Sequence, residues 1–265
     1  PCMTEELNPI LCERVGAVGV LTINRPKTLN ALNVPTLLKL EAALTELERD
    51  ESVRVIVITG AGEKAFVAGG DIADLKSRQG LQHYEEFAEV IHRVFRRFEV
   101  SDKPTIGAIN GWALGGGTEL LLTLDIRLVA QEAKLGLPEI NLGLFPGAGG
   151  SQRIIRQIPL CQAKELMFTG NQITAEKAVA LGLCNRTVPR ESLMTETMAL
   201  AEQIAQKSPL TLKLLKRALR DGAEMPLGAA LAHEQAIIGL VLDSKDAHEG
   251  CSAFLEKRPA NFVGK

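Results

Sequence analysis

Apolar residues along the first 190 positions alternate between short continuous runs and stretches with helical spacing. The short runs, rich in Val, Ile and Leu, predict a hairpin over residues 10–24 and single strands at residues 53–59, 105–110, 125–130 and 184–188. Helical spacing marks residues 36–49 and 82–99. A helix that leads into a fully apolar strand is typical of parallel sheets, so this pattern predicts an α/β core.

The last third of the chain has a different pattern, in which helical spacing dominates. Residues 151–183 predict helices with short breaks, and four more helices follow over residues 190–206, 209–221, 227–242 and 246–257. Pro209 and Pro226 lie where proline is favoured, at helix starts. We therefore predict an α/β core over residues 1–190 and a helical assembly region over residues 191–265.

One stretch in the core, KPTIGAINGWALGGGTELLLTL at residues 103–124, combines a strand, a glycine-rich turn and a helix. Backbone N–H groups at such a helix start have no intrahelical partner, and the helix dipole adds partial positive charge there. The three glycines at 115–117 would let an anion or a developing oxyanion approach these donors closely. The alternative is a plain glycine-rich turn that packs the helix against the sheet.

A second glycine-bearing turn follows another predicted strand. The segment AFVAGGDI at residues 65–72 leads into a short helix from about Ile72 and offers a backbone N–H near Gly70. The alternative interpretation is a loop in which Asp71 caps that helix.

Two carboxylates accompany these turns. Glu119 lies just inside the helix that follows the three glycines, where it could act on whatever they hold. Glu139 follows Pro138 in an otherwise apolar loop, and partial burial there would raise its pKa and suit it to proton transfer. The alternative for Glu139 is an ordinary surface position.

Composition and charge exclude several other functions. The chain has 265 residues, 46% of them hydrophobic and 23% charged, and a net charge of −2, which argues against a general nucleic-acid surface. The five cysteines and four histidines show no metal-ligand spacing, and the scattered cysteines indicate reduced thiols in a cytoplasmic protein.

The sequence also lacks membrane, secretion and nucleotide-binding signals. No apolar run is long enough to span a membrane, and the acidic start, with Met3 as the expected initiator, lacks a signal-peptide core. The dinucleotide-like residues 60–65 do not open a helix, and phosphate-loop and nucleophile-elbow motifs are absent.

Five segments in order resemble the crotonase (enoyl-CoA hydratase/isomerase) superfamily over nearly the whole chain. They are NRPKTLNAL (24–32), AFVAGGDI (65–72), NGWALGGGTEL (110–120), LPEINLGLFPGAGGSQR (137–153) and EGCSAFLEKRPANF (249–262). The resemblance implies a crotonase-like spiral of ββα units with a helical C-terminal region used in trimerisation. It also implies a homotrimer or homohexamer with an acyl-CoA substrate and no separate cofactor, metal, nucleic acid or membrane partner.

The resemblance also implies roles for individual residues. The N–H groups of Gly70 and Gly116 match the oxyanion hole for the thioester carbonyl, and Glu119 and Glu139 match the two catalytic glutamates of true hydratases. Several hydratases have alanine in place of Gly70, which leaves the N–H unchanged. Ten further positions match substrate-binding positions for the CoA thioester: Lys27, Ala68, Gly69, Asp71, Ile72, Trp112, Gly115, Pro138, Phe254 and Lys257.

These matches predict reversible hydration of a trans-2-enoyl-CoA to a 3-hydroxyacyl-CoA. Trp112 stands where a smaller aromatic is frequent, which bears on acyl-chain fit, and fatty, branched-chain or aromatic-degradation substrates stay open. Within the same superfamily, the alternatives are a double-bond isomerase that needs one Glu and a thioester hydrolase. A further alternative is an inactive partner subunit.

Overall fold

The computed structural model describes residues 8–265, so the expectations for the first residues, Met3 included, lie outside the described part. The strands are β1 (Ile10–Val15), β2 (Val18–Ile23), β3 (Val55–Gly60), β4 (Ala65–Val67), β5 (Thr105–Ile109), β6 (Trp112–Leu114), β7 (Ile126–Ala130), β8 (Lys134–Gly136), β9 (Ile173–Thr174) and β10 (Arg186–Val188). The helices are α1 (Val34–Arg49), α2 (Ile72–Lys76), α3 (Glu89–Val100), α4 (Gly116–Leu121), α5 (Gly150–Gln157), α6 (Leu160–Thr169), α7 (Ala175–Ala180), α8 (Leu193–Ala205), α9 (Pro209–Gly222), α10 (Leu227–Leu242) and α11 (Lys245–Leu255). A π-helical segment, His83–Ala88, runs directly into α3.

The first sheet has six strands in the order β1-β2-β3-β5-β7-β10. Strands β1 and β2 form the predicted antiparallel hairpin, and every other neighbouring pair is parallel. All residues of β3 and β5 are buried, as expected for parallel strands covered on both faces. The predicted α/β core is therefore confirmed.

The second sheet has four short strands in the order β4-β6-β8-β9, of which the first three are parallel. Along the chain, each long strand β3, β5 and β7 is followed by a short one, β4, β6 and β8, and a helical turn comes next. This repeat is the predicted ββα unit. The sequence pattern predicted none of the four strands of this sheet, because two or three residues are too few to show an alternation. Strand β9 lies within residues 151–183, where the pattern predicted helices with short breaks.

Two buried asparagines fix the connection between the two sheets. The Asn110 side chain accepts from the Gly60 N–H at 3.0 Å and donates to the oxygens of Gly62 and Ala65 at 2.9 and 3.1 Å. The Asn30 side chain donates to the same Ala65 oxygen at 2.9 Å. These bonds satisfy backbone groups that the turn between β3 and β4 would otherwise bury without partners.

The C-terminal helices divide into two parts. Helix α8 packs against strands of the first sheet. Helix α9 is tied to the core by ion pairs, in which the Lys216 Nζ lies 2.7 Å from an Asp125 carboxylate oxygen and Arg217 pairs with Asp102. The buried Asp246 side chain accepts hydrogen bonds from Ser208, Val263 and Gly264 and fastens the chain end to the start of α9. The division at residue 190 and the use of this region in trimerisation stay predictions.

Within the described residues, no helix combines the length and apolar character that a membrane span requires. The cysteines of this part, Cys12, Cys161, Cys184 and Cys251, are all free thiols.

Packing of α4 against β4 generates a stability prediction. A Cβ at Gly117 would lie 2.0 Å from the Val67 carbonyl oxygen, so Gly117→Ala must displace one of the two elements. We expect the free energy of unfolding to fall by about 2–3 kcal/mol in urea titrations. Gly239→Ala is the matched control, since nothing lies within 4 Å of its added methyl and stability should rise by up to about 1 kcal/mol. Equal stability of the Gly117 variant and the wild type would contradict this packing.

Candidate active site

The carboxyl ends of β4, β6 and β8 meet at one edge of the second sheet. Gly69 and Gly70 follow β4, and Gly115 and Gly116 follow β6. A Cβ built on Gly116 would lie 3.7 Å from the Gly70 nitrogen, and one on Gly115 would lie 3.7 Å from the Gly69 Cα. The two glycine turns predicted from sequence are therefore in contact.

Both turns present free backbone donors. Among residues 8–265, neither the Gly70 nor the Gly116 N–H donates a hydrogen bond. Gly116 is the first residue of α4, where an amide has no intrahelical partner, and Gly115 before it has φ 53°, a conformation that favours glycine. Two unpaired amides side by side can donate to a single oxygen.

Hydrogen bonds on either side hold the Gly70 turn in place. The Leu32 N–H donates to the Gly69 oxygen at 2.9 Å, and the Asp71 N–H donates to the Leu32 oxygen at 2.8 Å. The Asp71 side chain caps α2 and pairs with Arg25 at 3.0 Å. Burial raises the pKa of Asp71, but the hydrogen bonds from Arg25 and the α2 backbone outweigh this and lower the pKa overall. Asp71 is thus a cap and ion-pair partner, and its contact with a substrate stays a prediction.

Glu119 extends from α4 and is only 3% exposed. Its Oε1 accepts hydrogen bonds from the N–H groups of Ala148 at 2.8 Å and Gly150 at 3.0 Å. A Cβ on Gly150 would lie 2.5 Å from the Glu119 Cγ, so only glycine fits there. Burial, with the nearby charge of Glu139, raises the pKa of Glu119 to about 7 although the two amides act in the opposite direction.

Glu139 lies in a 3-10 turn, Pro138–Leu142, directly after β8. A Cβ on Gly115 would lie 2.8 Å from the Glu139 Oε1, which places this carboxyl group beside the glycine turn after β6. Its Oε2 is buried and has no hydrogen-bond partner among the described residues. Burial raises the pKa of Glu139, in the direction expected from its loop. The site thus joins two amide donors and two carboxyl groups that hold protons at higher pH than usual.

Other predicted residues surround this centre. Ala68 donates its N–H to the Leu29 oxygen at 3.0 Å, and Lys27 is exposed in the neighbouring 3-10 turn, Pro26–Thr28. A cavity of about 330 Å³ lies beside that turn and is lined by Pro26, Leu29, Asn30 and residues 61–65. Ile72 begins α2 and is largely exposed.

Three predicted ligand contacts lie away from the glycine turns. Trp112 is 40% exposed at the amino end of β6, whereas the donors follow its carboxyl end. Phe254 is 83% exposed in α11, and Lys257 follows that helix with φ 55°. The residues beyond them are fastened to Asp246, at the start of α11, and to Arg54, which lies before β3. The structure of one chain does not bring Phe254 or Lys257 to the glycine turns, so their contact with a ligand, expected from a neighbouring subunit, stays a prediction.

Sequence reasoning missed the residues that hold Glu119. The sequence GAGG at residues 147–150 was noted within a segment that resembles the family, with no role given to its backbone, yet the amides of Ala148 and Gly150 bind the carboxylate. Clustered glycine was the signal that backbone approaches another group closely there. No group of three or more His, Cys, Asp or Glu side chains in the described chain is arranged to hold a metal ion.

Comparison with known proteins gives consistent matches over almost the full chain. Residues 13–265 match the family described as enoyl-CoA hydratase/isomerase. A short-chain-enoyl-CoA hydratase of Clostridium acetobutylicum is 41% identical over 253 residues, which cover 96% of this chain and 97% of the relative. A crotonyl-CoA hydratase of Syntrophomonas wolfei is 42% identical over 256 residues, which cover 97% of this chain and 98% of the relative.

A solved structure gives the same result at the level of the fold. The crystal structure of an enoyl-CoA hydratase from Bacillus anthracis has a TM-score of 0.93 to this chain at 37% identity, and the match covers 97% of this chain and 100% of the other. This likeness confirms the predicted fold class.

The burial of Glu119 and the charge of Glu139 generate a titration prediction. We expect the Glu119 carboxyl carbon to titrate near pH 7 in ¹³C NMR spectra of the glutamate-labelled protein, with assignment by Glu119→Gln. Glu139→Gln removes the neighbouring negative charge, so the Glu119 midpoint should move to lower pH. A Glu119 midpoint at the usual glutamate value, unchanged by Glu139→Gln, would contradict the described burial and the effect of the Glu139 charge.

Proposed function

The chain belongs to the enoyl-CoA hydratase/isomerase family, and we propose that it adds water reversibly across a trans-2-enoyl-CoA to give a 3-hydroxyacyl-CoA. The family match confirms the resemblance seen in the sequence. The main observation in favour of this reaction is the contact between the two glycine turns, whose free amides lie at the same site as the buried Glu119 and the partly buried Glu139.

The free amides of Gly70 and Gly116 are assigned to the thioester oxygen. When water adds to Cβ of the enoyl group, negative charge moves through Cα and the carbonyl carbon onto that oxygen. Donors already in position stabilise this charge without reorganisation, and loss of one such donor typically costs about 3–4 kcal/mol of transition-state stabilisation.

The two glutamates are assigned to proton transfer. Glu119 orients the water and accepts its proton as the oxygen bonds to Cβ, and protonated Glu139 delivers a proton to Cα. The overall reaction adds one water to one double bond. The raised pKa values of both groups suit them to proton transfer, and the division of the two roles between them is part of the proposal.

The remaining predicted residues are assigned to the CoA part and the acyl chain. Lys27 provides an exposed cation beside the cavity near residues 26–30, which suits a phosphate group of CoA. The backbone at Ala68 and Gly69 and the side chains of Ile72 and Pro138 flank the thioester position. The names of the short-chain and crotonyl-CoA relatives support a four-carbon acyl group as the first substrate to test.

We propose a homotrimer or homohexamer in the cytoplasm that acts without a separate cofactor or metal ion. Large apolar side chains stand exposed on the C-terminal helices and support burial of this region between subunits: Leu227, Leu231, Leu240, Leu242, Phe254 and Leu255. The free thiols support a reducing compartment.

Substitution of either glutamate tests the mechanism. Glu119→Gln and Glu139→Gln should each lower kcat by about 100- to 10,000-fold, because each removes one proton-transfer group. The measurement is loss of the enoyl-thioester absorbance of crotonyl-CoA, with circular dichroism to check the fold. Glu132→Gln, an exposed glutamate in the turn after β7, is the matched control and should keep wild-type turnover.

Other outcomes of that assay would select an alternative. Near-normal turnover in either Gln variant would remove that residue from the mechanism. An inactive wild type that converts a 3-enoyl-CoA would indicate a double-bond isomerase, and release of free CoA would indicate a hydrolase. A wild type inactive in all three assays would favour a non-catalytic subunit.

A further inference from the structure

The turn at residues 147–150 that binds Glu119 is itself held from two helices. The His92 Nε2 of α3 lies 2.6 Å from the Gly147 oxygen. On α5, the Arg153 backbone N–H donates to the Gly149 oxygen at 2.9 Å, and its Nη1 donates to the Ala148 oxygen at 3.4 Å. Arg153 therefore contacts this turn through both its backbone and its side chain.

The Arg153 guanidinium lies directly against the Gly149 backbone. A Cβ at Gly149 would come within 1.8 Å of the Arg153 Nη1 and 3.0 Å of its Cζ, and Gly149 has φ 91°. Gly149 lies between the two residues whose amides bind Glu119. The guanidinium thus sits behind the amide pair and allows only glycine at the residue between them.

Glu99 fixes the guanidinium in this place. The Arg153 Nε and Nη2 donate to the two Glu99 carboxylate oxygens at 2.6 and 2.8 Å, in the paired geometry that restrains a guanidinium most. The two side chains are only 15% and 18% exposed. Burial raises the pKa of Glu99, but the hydrogen bond from Arg153 and a second one from Arg96 outweigh this, so that the pKa is lowered overall.

We propose that Arg153, fixed by Glu99, is a positioning residue that holds the turn at 147–150 against Glu119 and stabilises the ionised form of that carboxylate. This inference rests on the proposed function, in which Glu119 accepts a proton from water. Arg153 acts through the turn and through its charge and touches no reacting atom.

The charges around Glu119 determine the direction in which each substitution should shift its pKa. The Glu139 carboxylate raises the pKa of Glu119, whereas the positive charge of Arg153 lowers it. Near Arg153, Glu99 pairs with it and offsets part of its charge, and Arg96 pairs with Glu99 in turn. His92 contacts the turn at Gly147, and Arg156 lies further along α5. The remaining charged residues of α3 are Glu89, Arg93 and Arg97. Strands β4 and β6, which also pack against α4, carry no titratable side chain. Loss of Arg153 must therefore raise the pKa of Glu119, and loss of the Glu99 charge must lower it.

The test is the pH dependence of kcat/KM for crotonyl-CoA hydration in four proteins: wild type, Arg153→Met, Glu99→Gln and Arg156→Met. Because hydration needs ionised Glu119, kcat/KM should rise as the pH increases through the pKa of the Glu119 carboxyl group. For Arg153→Met we expect this rise to move to higher pH by about one unit or more, with a lower kcat. For Glu99→Gln, which keeps Arg153 and one acceptor for it, we expect a shift to lower pH.

Arg156→Met is the matched control, because Arg156 lies one turn further along α5 and its side chain is 57% exposed. It removes the same charge from the same helix without contacting the turn, so its profile should coincide with that of the wild type. A fifth protein, Arg153→Lys, keeps the positive charge, and its pH profile should return most of the way to that of the wild type.

An unshifted profile in Arg153→Met, or shifts of the same sign in Arg153→Met and Glu99→Gln, would overturn the proposal. A purely structural role would lower kcat and stability without moving the profile in opposite directions. If the wild type does not hydrate crotonyl-CoA, the proposed function fails. The same four proteins then test the inference by the ¹³C NMR midpoint of Glu119, where the same opposite shifts are expected and their absence would contradict it.

Discussion

The parallel alignment of β4, β6 and β8 is the constraint on which the site depends. Each strand has only three residues and ends at the same edge of the second sheet, so the next residues of three distant segments meet there. The buried amides of Asn30 and Asn110 hold the start of β4 at the Ala65 oxygen. The two amide donors and Glu139 are therefore placed by backbone pairing, which is more rigid than placement by side chains alone.

The second feature of the site is an electrostatic balance around a buried carboxyl group. Burial and the Glu139 charge favour the protonated form of Glu119, while two amides and Arg153 favour the ionised form. The balance brings the pKa to about 7, where a carboxylate can both accept and return a proton. A reversible hydration needs this property, because the same group must work in both directions.

The sequence predicted the parts of this arrangement that have a long or strongly biased pattern. The five longer strands and the C-terminal helices had enough apolar residues to show their period, and the glycine turns at 69–70 and 115–116 were visible as composition. The four strands of the second sheet were not predicted, because two or three residues show no period, and β6 includes a half-exposed Trp112. Gly117 is needed for packing against Val67, which only three-dimensional contact can show.

The partners of Glu119 could not be predicted from sequence for a related reason. The groups around Glu119 come from two separate segments, and their contact depends on how α3 and α5 pack. Glu99 belongs to α3, whereas Ala148, Gly150 and Arg153 belong to the turn and α5. Every residue except proline has a backbone N–H group, so residue type does not reveal which of these groups will bind a carboxylate. The family resemblance indicated the two glutamates and the two glycines. The residues that hold Glu119 in place are apparent only in the folded chain.

The most direct test of the central claim is a crystal structure of the protein with butyryl-CoA, a saturated thioester that cannot be hydrated. We expect the thioester oxygen to lie about 2.7–3.1 Å from the amide nitrogens of both Gly70 and Gly116. The Glu119 and Glu139 carboxyl groups should face the acyl carbons. A thioester oxygen that contacts neither amide would contradict the central claim.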